Sequence, residues 1–168
     1  MKWGVITLFP TMVADALAHG VFGRAMQRGL VNIITFNPRA HATDLHQTVD
    51  DRPYGGGPGM LMKVETLRAS IAEAKQTLPE APVIYLSPQG EPLTQAVVQD
   101  LAERPEVILV CGRYEGIDER VIELDVDYEI SLGDFVLSGG EPAAIAVLDA
   151  VGRLVPGVLG HASSAVED

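Results

Sequence analysis

Only one cysteine, Cys111, occurs in the 168 residues, so no disulfide can close within the chain, and a reducing cytoplasm is the expected compartment. No apolar run approaches the roughly 20 residues that a membrane-spanning helix needs, so no membrane is expected as a partner. The segment Met1 to Pro10 carries one charged side chain and no signal-peptide cleavage pattern, and it reads as a first strand. Basic residues are scarce. Twelve Lys and Arg face 23 Asp and Glu, a formal net charge of −11, which argues against a generic nucleic-acid binder because phosphate contacts need cations. The scarcity is uneven: residues 1–75 hold eight Lys and Arg against six acids, a net of +2, so the remainder carries −13. Contact with RNA, if this chain makes any, is expected from the first half.

What is present reads as one globular domain. Hydrophobic residues make up 47%, too many for a disordered chain. Val5 to Phe9 and Val31 to Phe36 read as strands, with two short helices between Met12 and Arg28 and a long polar, then Gly-rich, loop over 37–62. Val64, Leu67, Ile71, Ala74 and Leu78 make one helical face that stops at Pro79. Val83–Leu86, Val107–Cys111 and Tyr128–Leu132 are further strand candidates, and Thr94 can cap a helix whose apolar face is Val97, Val98 and Leu101. Pro142 to Leu154 is almost wholly apolar and predicts a helix buried on several sides, in the core or against another subunit. Strands and helices alternate, and the strands are continuous apolar runs. The expected class is therefore α/β, with a parallel sheet covered by helices on both faces.

Three strand candidates lead into loops with Gly or Pro: Ser87-Pro88-Gln89-Gly90, Gly112-Arg113-Tyr114-Glu115-Gly116, and Leu132-Gly133-Asp134-Phe135-Val136-Leu137-Ser138-Gly139-Gly140. Ligands of open α/β sheets bind outside the C-terminal strand ends. Glycine there lets backbone approach a ligand and offers bare N–H and C=O groups. The three loops together predict a pocket of backbone donors and acceptors suited to a purine edge. Asp50 to Met60 lacks a Gly-Lys-Ser/Thr ending, so it is no Walker loop and reads better as a lid. Cys111 has no His near it in sequence and reads as structural. His19, His41, His46 and His161 show no metal-ligand spacing, and the acids from Asp118 to Glu129 read as a solvated face, with Glu115 set apart by its flanking glycines.

Five motifs stand in a familiar order and spacing: Gly55-Gly56-Gly57-Pro58-Gly59-Met60, Ser87–Gly90, Gly112–Arg120, Gly133–Glu141 and Pro156-Gly157-Val158-Leu159-Gly160. Together they resemble the bacterial tRNA (guanine-N1)-methyltransferases of the SPOUT superfamily, and the resemblance covers residues 1–168. It implies a C-terminal trefoil knot, which general rules of chain topology would not suggest, and a homodimer with the active site at the interface. It implies that Leu86, Ser87, Pro88, Gly112, Tyr114, Gly116, Leu132, Gly133, Leu137, Gly139 and Gly140 hold S-adenosylmethionine, with Glu115 near the methionine end. Arg153 and Asp168 resemble the catalytic pair. In those roles Asp168 is the base that removes the proton from guanine N1, and Arg153 stabilises the charge that develops on O6. The implied substrate is the guanosine immediately 3′ of a tRNA anticodon. Members of the family are similar in needing Mg²⁺, although no metal site is legible here. Phe135 stands where relatives often have Tyr. The family continues into a helical C-terminal domain that grips tRNA, so residues 1–168 correspond to its catalytic domain. Two other readings compete: a SPOUT-type enzyme acting on another RNA nucleotide, and a nucleotide-binding module without catalysis. Asp168 and Arg153 discriminate both.

Overall fold

The computed structural model describes residues 1–165. Asp168 lies outside the described residues. The chain runs β1 (Lys2–Ile6), α1 (Pro10–Leu17), α2 (Gly20–Gln27), β2 (Asn32–Phe36), β3 (Asp50–Asp51), β4 (Leu61–Met62), α3 (Val64–Thr77), β5 (Val83–Pro92), α4 (Gln95–Ala102), β6 (Glu106–Cys111), α5 (Glu119–Asp125), β7 (Tyr128–Ser131) and α6 (Glu141–Gly152). Short 3₁₀ turns occupy Pro38–His41 and Ala162–Ala165.

Five strands form one sheet in the order β2-β1-β6-β5-β7, and every pairing is parallel. Alternation along each strand feeds two cores. Val107, Leu109 and Cys111 of β6 join Trp3, Val5 and Ile84 on one face, under α1, α2, α4 and α6. Ile108 and Val110 join Ile6, Val83 and Tyr85 on the other, under α3 and α5. Both faces are thus covered, as continuous apolar strands require.

The expected helix at the apolar segment 142–154 is α6, with Pro142 in its first turn. Its own chain buries Ala143, Ala144, Val147, Leu148 and Val151, so the interior accounts for most of its apolar surface. Thr94 caps α4 by accepting the Val97 N–H.

The structure departs from the sequence reading in three places. The first strand is Lys2–Ile6 rather than Val5–Phe9, because Pro10 opens α1 and Phe9 is its N-cap. β5 does not stop at Leu86. Both Leu86 and Glu91 pair with Ile130, so 87–90 is a bulge within a longer strand. Gly90 permits this, since a Cβ there would sit 2.5 Å from the backbone of Glu129 and Ile130. Finally, the acidic face contains a helix, α5, capped by the Asp118 carboxylate, which accepts the Arg120 N–H.

Candidate cofactor site

The sheet order makes β6, β5 and β7 neighbours, so the segment after β6, the 87–90 bulge of β5 and the segment after β7 lie side by side. They enclose a cavity of about 460 Å³, within the range of roughly 300–1,000 Å³ common for small-molecule sites. All twelve residues assigned from sequence to the cofactor line it: Leu86, Ser87, Pro88, Gly112, Tyr114, Glu115, Gly116, Leu132, Gly133, Leu137, Gly139 and Gly140.

Close backbone approach, rather than turn formation alone, explains several of these glycines. Gly140 has ordinary helical φ and ψ of −80° and −10°. A Cβ there would lie 2.8 Å from the Cα of Cys111, so glycine is needed where the loop before α6 crosses the end of β6. The Gly140 N–H donates to the Gly112 carbonyl at 2.9 Å and ties the two loops together. At Gly112 a Cβ would meet the Tyr85 hydroxyl at 3.1 Å. Tyr114 adopts a positive φ of 58°, unusual for a bulky residue. Such strain concentrates at functional sites.

Sequence reasoning missed several wall residues. Tyr85 is buried under the 112–116 loop, and burial raises its hydroxyl pKa, with Glu129 and Glu119 adding to the shift. Glu119 and Glu129 line the cavity beside Glu115. Burial, and then the Glu119 carboxylate, raise the Glu129 carboxyl above its ordinary value. The alternation of β5 could have flagged Tyr85, and β7 alternation Glu129; neither lies in a glycine motif.

The Gly-rich segment packs on the outer wall. Glu115 N–H donates to the Met60 carbonyl at 2.9 Å and Met62 N–H to the Gly116 carbonyl at 3.0 Å. At Gly59 a Cβ would lie 2.5 Å from Cγ of Glu115. Cys111 is fully buried, and burial pushes its thiol well above the ordinary value, which suits a structural residue. Arg153 is the C-cap of α6 and does not line the cavity. The cavity touches the other end of that helix, at Gly140 and Ala143. At a rise of about 1.5 Å per residue the two ends are roughly 20 Å apart.

The cavity suits S-adenosylmethionine. Leu86, Ile117, Ile130, Leu137 and Ala143 offer apolar surface to a purine, and Glu115, Glu119 and Glu129 offer negative charge to a sulfonium and an ammonium. Among the described residues no group of three or more His, Cys, Asp or Glu is placed to hold a metal ion.

Ligands of open parallel α/β sheets bind at this C-terminal edge. The profile of the tRNA (Guanine-1)-methyltransferase TrmD family matches residues 1–168, and the chain belongs to that family. It is 60% identical over 168 residues to a tRNA (guanine-N(1)-)-methyltransferase of Marinomonas sp., covering 100% of this chain and 67% of that one. It is 58% identical over 172 residues to the protein of the same name from Chromohalobacter salexigens, with 98% and 64% covered, and 57% identical over 166 residues to that of Salmonella newport, with 98% and 65% covered. The chain thus spans about two thirds of the length of these curated relatives. The crystal structure of a tRNA (m1G37) methyltransferase from Aquifex aeolicus superposes with a TM-score of 0.87 at 40% identity, covering 96% of this chain and 72% of that one.

Proposed function

We propose that this chain is the catalytic domain of an enzyme that transfers a methyl group from S-adenosylmethionine to N1 of the guanosine immediately 3′ of a tRNA anticodon. The observation that carries the reading is the convergence of the twelve assigned residues, from three segments distant in sequence, on one cavity in a chain of this family. Leu86, Leu132 and Leu137 would sandwich the adenine while backbone of 112–116 and 139–140 bonds its edge. Glu115 would face the methionine end. When bound, the cofactor supplies an electrophilic methyl group on a sulfonium. The chain's own work is to position the partners and manage one proton. Asp168 takes the proton from guanine N1, and the Arg153 guanidinium stabilises the negative charge that develops on O6.

Arg153 sits roughly 20 Å along its helix from the cavity of its own chain. That separation supports a site completed by a second copy, with Arg153 of one subunit facing the cavity of the other. The trefoil knot belongs to the same reading, in which the backbones of Gly112 and Gly140 meet. No described helix is long and apolar enough to cross a membrane, and a tRNA substrate would be met in the cytoplasm.

Calorimetric titration tests the cofactor. S-adenosylmethionine should bind, whereas NAD and ATP should not, and the reverse preference would overturn the reading. Single-turnover methyl transfer tests the base, with the chain extended to the length of its relatives. Asp168→Asn should keep cofactor affinity and slow transfer by about 10²–10⁴-fold, the usual worth of a positioned general base. Near-parental turnover would remove Asp168 from the mechanism.

A further inference from the structure

Glu141 is buried to 0% exposure at the start of α6, directly after Gly140. Its carboxylate is satisfied from two sides. The Thr7 hydroxyl donates to Oε1 at 2.7 Å, and Arg113 Nε donates to Oε2 at 2.9 Å, with Nη2 at 2.8 Å from the same oxygen. Thr7 Oγ1 in turn accepts the Phe9 N–H at 2.9 Å.

Arg113 is held from every direction. Nη1 donates to the Ser138 carbonyl at 3.4 Å, Nη2 lies 3.7 Å from the Met12 sulfur, and the guanidinium stacks 4.5 Å from the Phe9 ring centroid. Gly139 lies so close that any Cβ would collide with the guanidinium. One ion pair thus joins three segments distant in sequence: 7–12 after β1, the loop after β6, and 138–141 before α6. Two of the three are walls of the cavity.

A buried ion pair is weak support for stability, because a well-packed apolar pair of the same volume often does as well. What the pair supplies here is geometry. The planar guanidinium bonds a carboxylate and a carbonyl in fixed directions, which a hydrophobic contact cannot do.

We propose that Glu141, acting through Arg113, is a positioning residue that sets the spacing between the 112–116 and 137–140 walls and so holds the cofactor cavity at its working width. The proposal rests on the reading of that cavity as the S-adenosylmethionine site. Glu141 touches no part of the cavity itself. Its effect on the ligand is exerted through Arg113 and the backbone of 138–140.

The test measures S-adenosylmethionine affinity by calorimetry for the chain, Glu141→Gln, Arg113→Lys and Ile71→Ala. Glu141→Gln keeps the size and removes the charge. Arg113→Lys keeps a cation beside Glu141 and gives up the fork that also reaches Ser138. Both should weaken binding by about 10- to 10²-fold, equivalent to about 1.4–2.8 kcal/mol of affinity. Amide exchange over 138–140 should quicken in both. Ile71, buried on α3 and absent from the cavity lining, is the control. Ile71→Ala should lower the melting temperature and leave affinity at the parental value. Parental affinity in a folded Glu141→Gln overturns the proposal. So does an equal loss in Ile71→Ala, which would mean that general destabilisation explains the effect. If Glu141→Gln does not fold, Arg113→Lys decides, and parental affinity there overturns the proposal. A parent chain that binds no S-adenosylmethionine overturns the functional reading itself, and the positioning role with it.

Discussion

Gly140 and Glu129 show how single residues hold the site at some cost to the fold. At Gly140 the backbone angles would suit any residue, and the neighbouring Cys111 and Gly112 backbone forbids a side chain. Gly140→Ala should therefore destabilise by about 1–3 kcal/mol through overpacking. Gly160, with nothing within 4 Å of its Cβ position, should accept alanine with no such loss. Thermal unfolding of the two variants checks the contrast, and equal melting temperatures would refute it. Glu129 makes a prediction about pH. Burial, then the Glu119 carboxylate, raise its folded-state pKa, so the native protein holds this proton more tightly than the unfolded chain. The contribution is fully present below the unfolded-state pKa and is lost as pH rises through the raised folded-state value. Melting temperature should fall across that window in the parent, and Glu129→Gln should abolish that part of the slope. Parallel profiles would contradict the assignment.

Elements were legible where a local signal carried them. Thr94 marked the start of α4 because its hydroxyl can satisfy an orphan N–H, and it accepts from Val97. Thr94→Ala should cost about 1 kcal/mol, the usual worth of such a cap, and chemical denaturation should read it as a shifted midpoint at constant slope. The parallel sheet followed from apolar runs such as Val107–Cys111, which can be satisfied only when both faces are covered. Two elements escaped. α5 has seven residues and buries only Val121, too little for periodicity to register, although Asp118 carried the cap signal. The continuation of β5 through its 87–90 bulge depends on β7, a partner some forty residues away, and no local pattern encodes that pairing. The three glycine loops and the pocket they share were legible, because ligands of parallel sheets bind outside the C-terminal strand ends, whereas the strand order β6-β5-β7 that brings the loops together was not. The Thr7–Glu141–Arg113 network was illegible for the same reason, since its members lie up to 134 positions apart.

The whole molecule leaves the proposed chemistry divided. The cavity occupies the C-terminal edge of the sheet, and Arg153 stands at the far end of α6. Around the cavity Phe9, Phe135, Val136 and Leu137 are exposed, with Val136 at 87%. Exposed large apolar side chains at a cavity mouth commonly mark an interaction surface. If a second copy covers it with two-fold symmetry, each subunit's Arg153 can serve the other's cavity. Sedimentation at micromolar concentration should then give twice the 17.9 kDa chain mass, and a clean monomer would end the idea. Complementation goes further. Arg153→Ala retains an intact cavity, whereas Gly139→Trp, whose side chain collides with the Arg113 guanidinium, disrupts the cavity wall and retains Arg153. Each should be inactive alone in methyl transfer, measured with the chain extended to its relatives' length. After unfolding and refolding together in equal amounts, half of the dimers pair one variant with the other. In those, one of the two sites combines the intact cavity with the intact arginine. The mixture should recover about a quarter of the parental activity, as random two-fold pairing requires. If both groups act within one subunit, no mixed dimer contains an intact site and the mixture stays inactive.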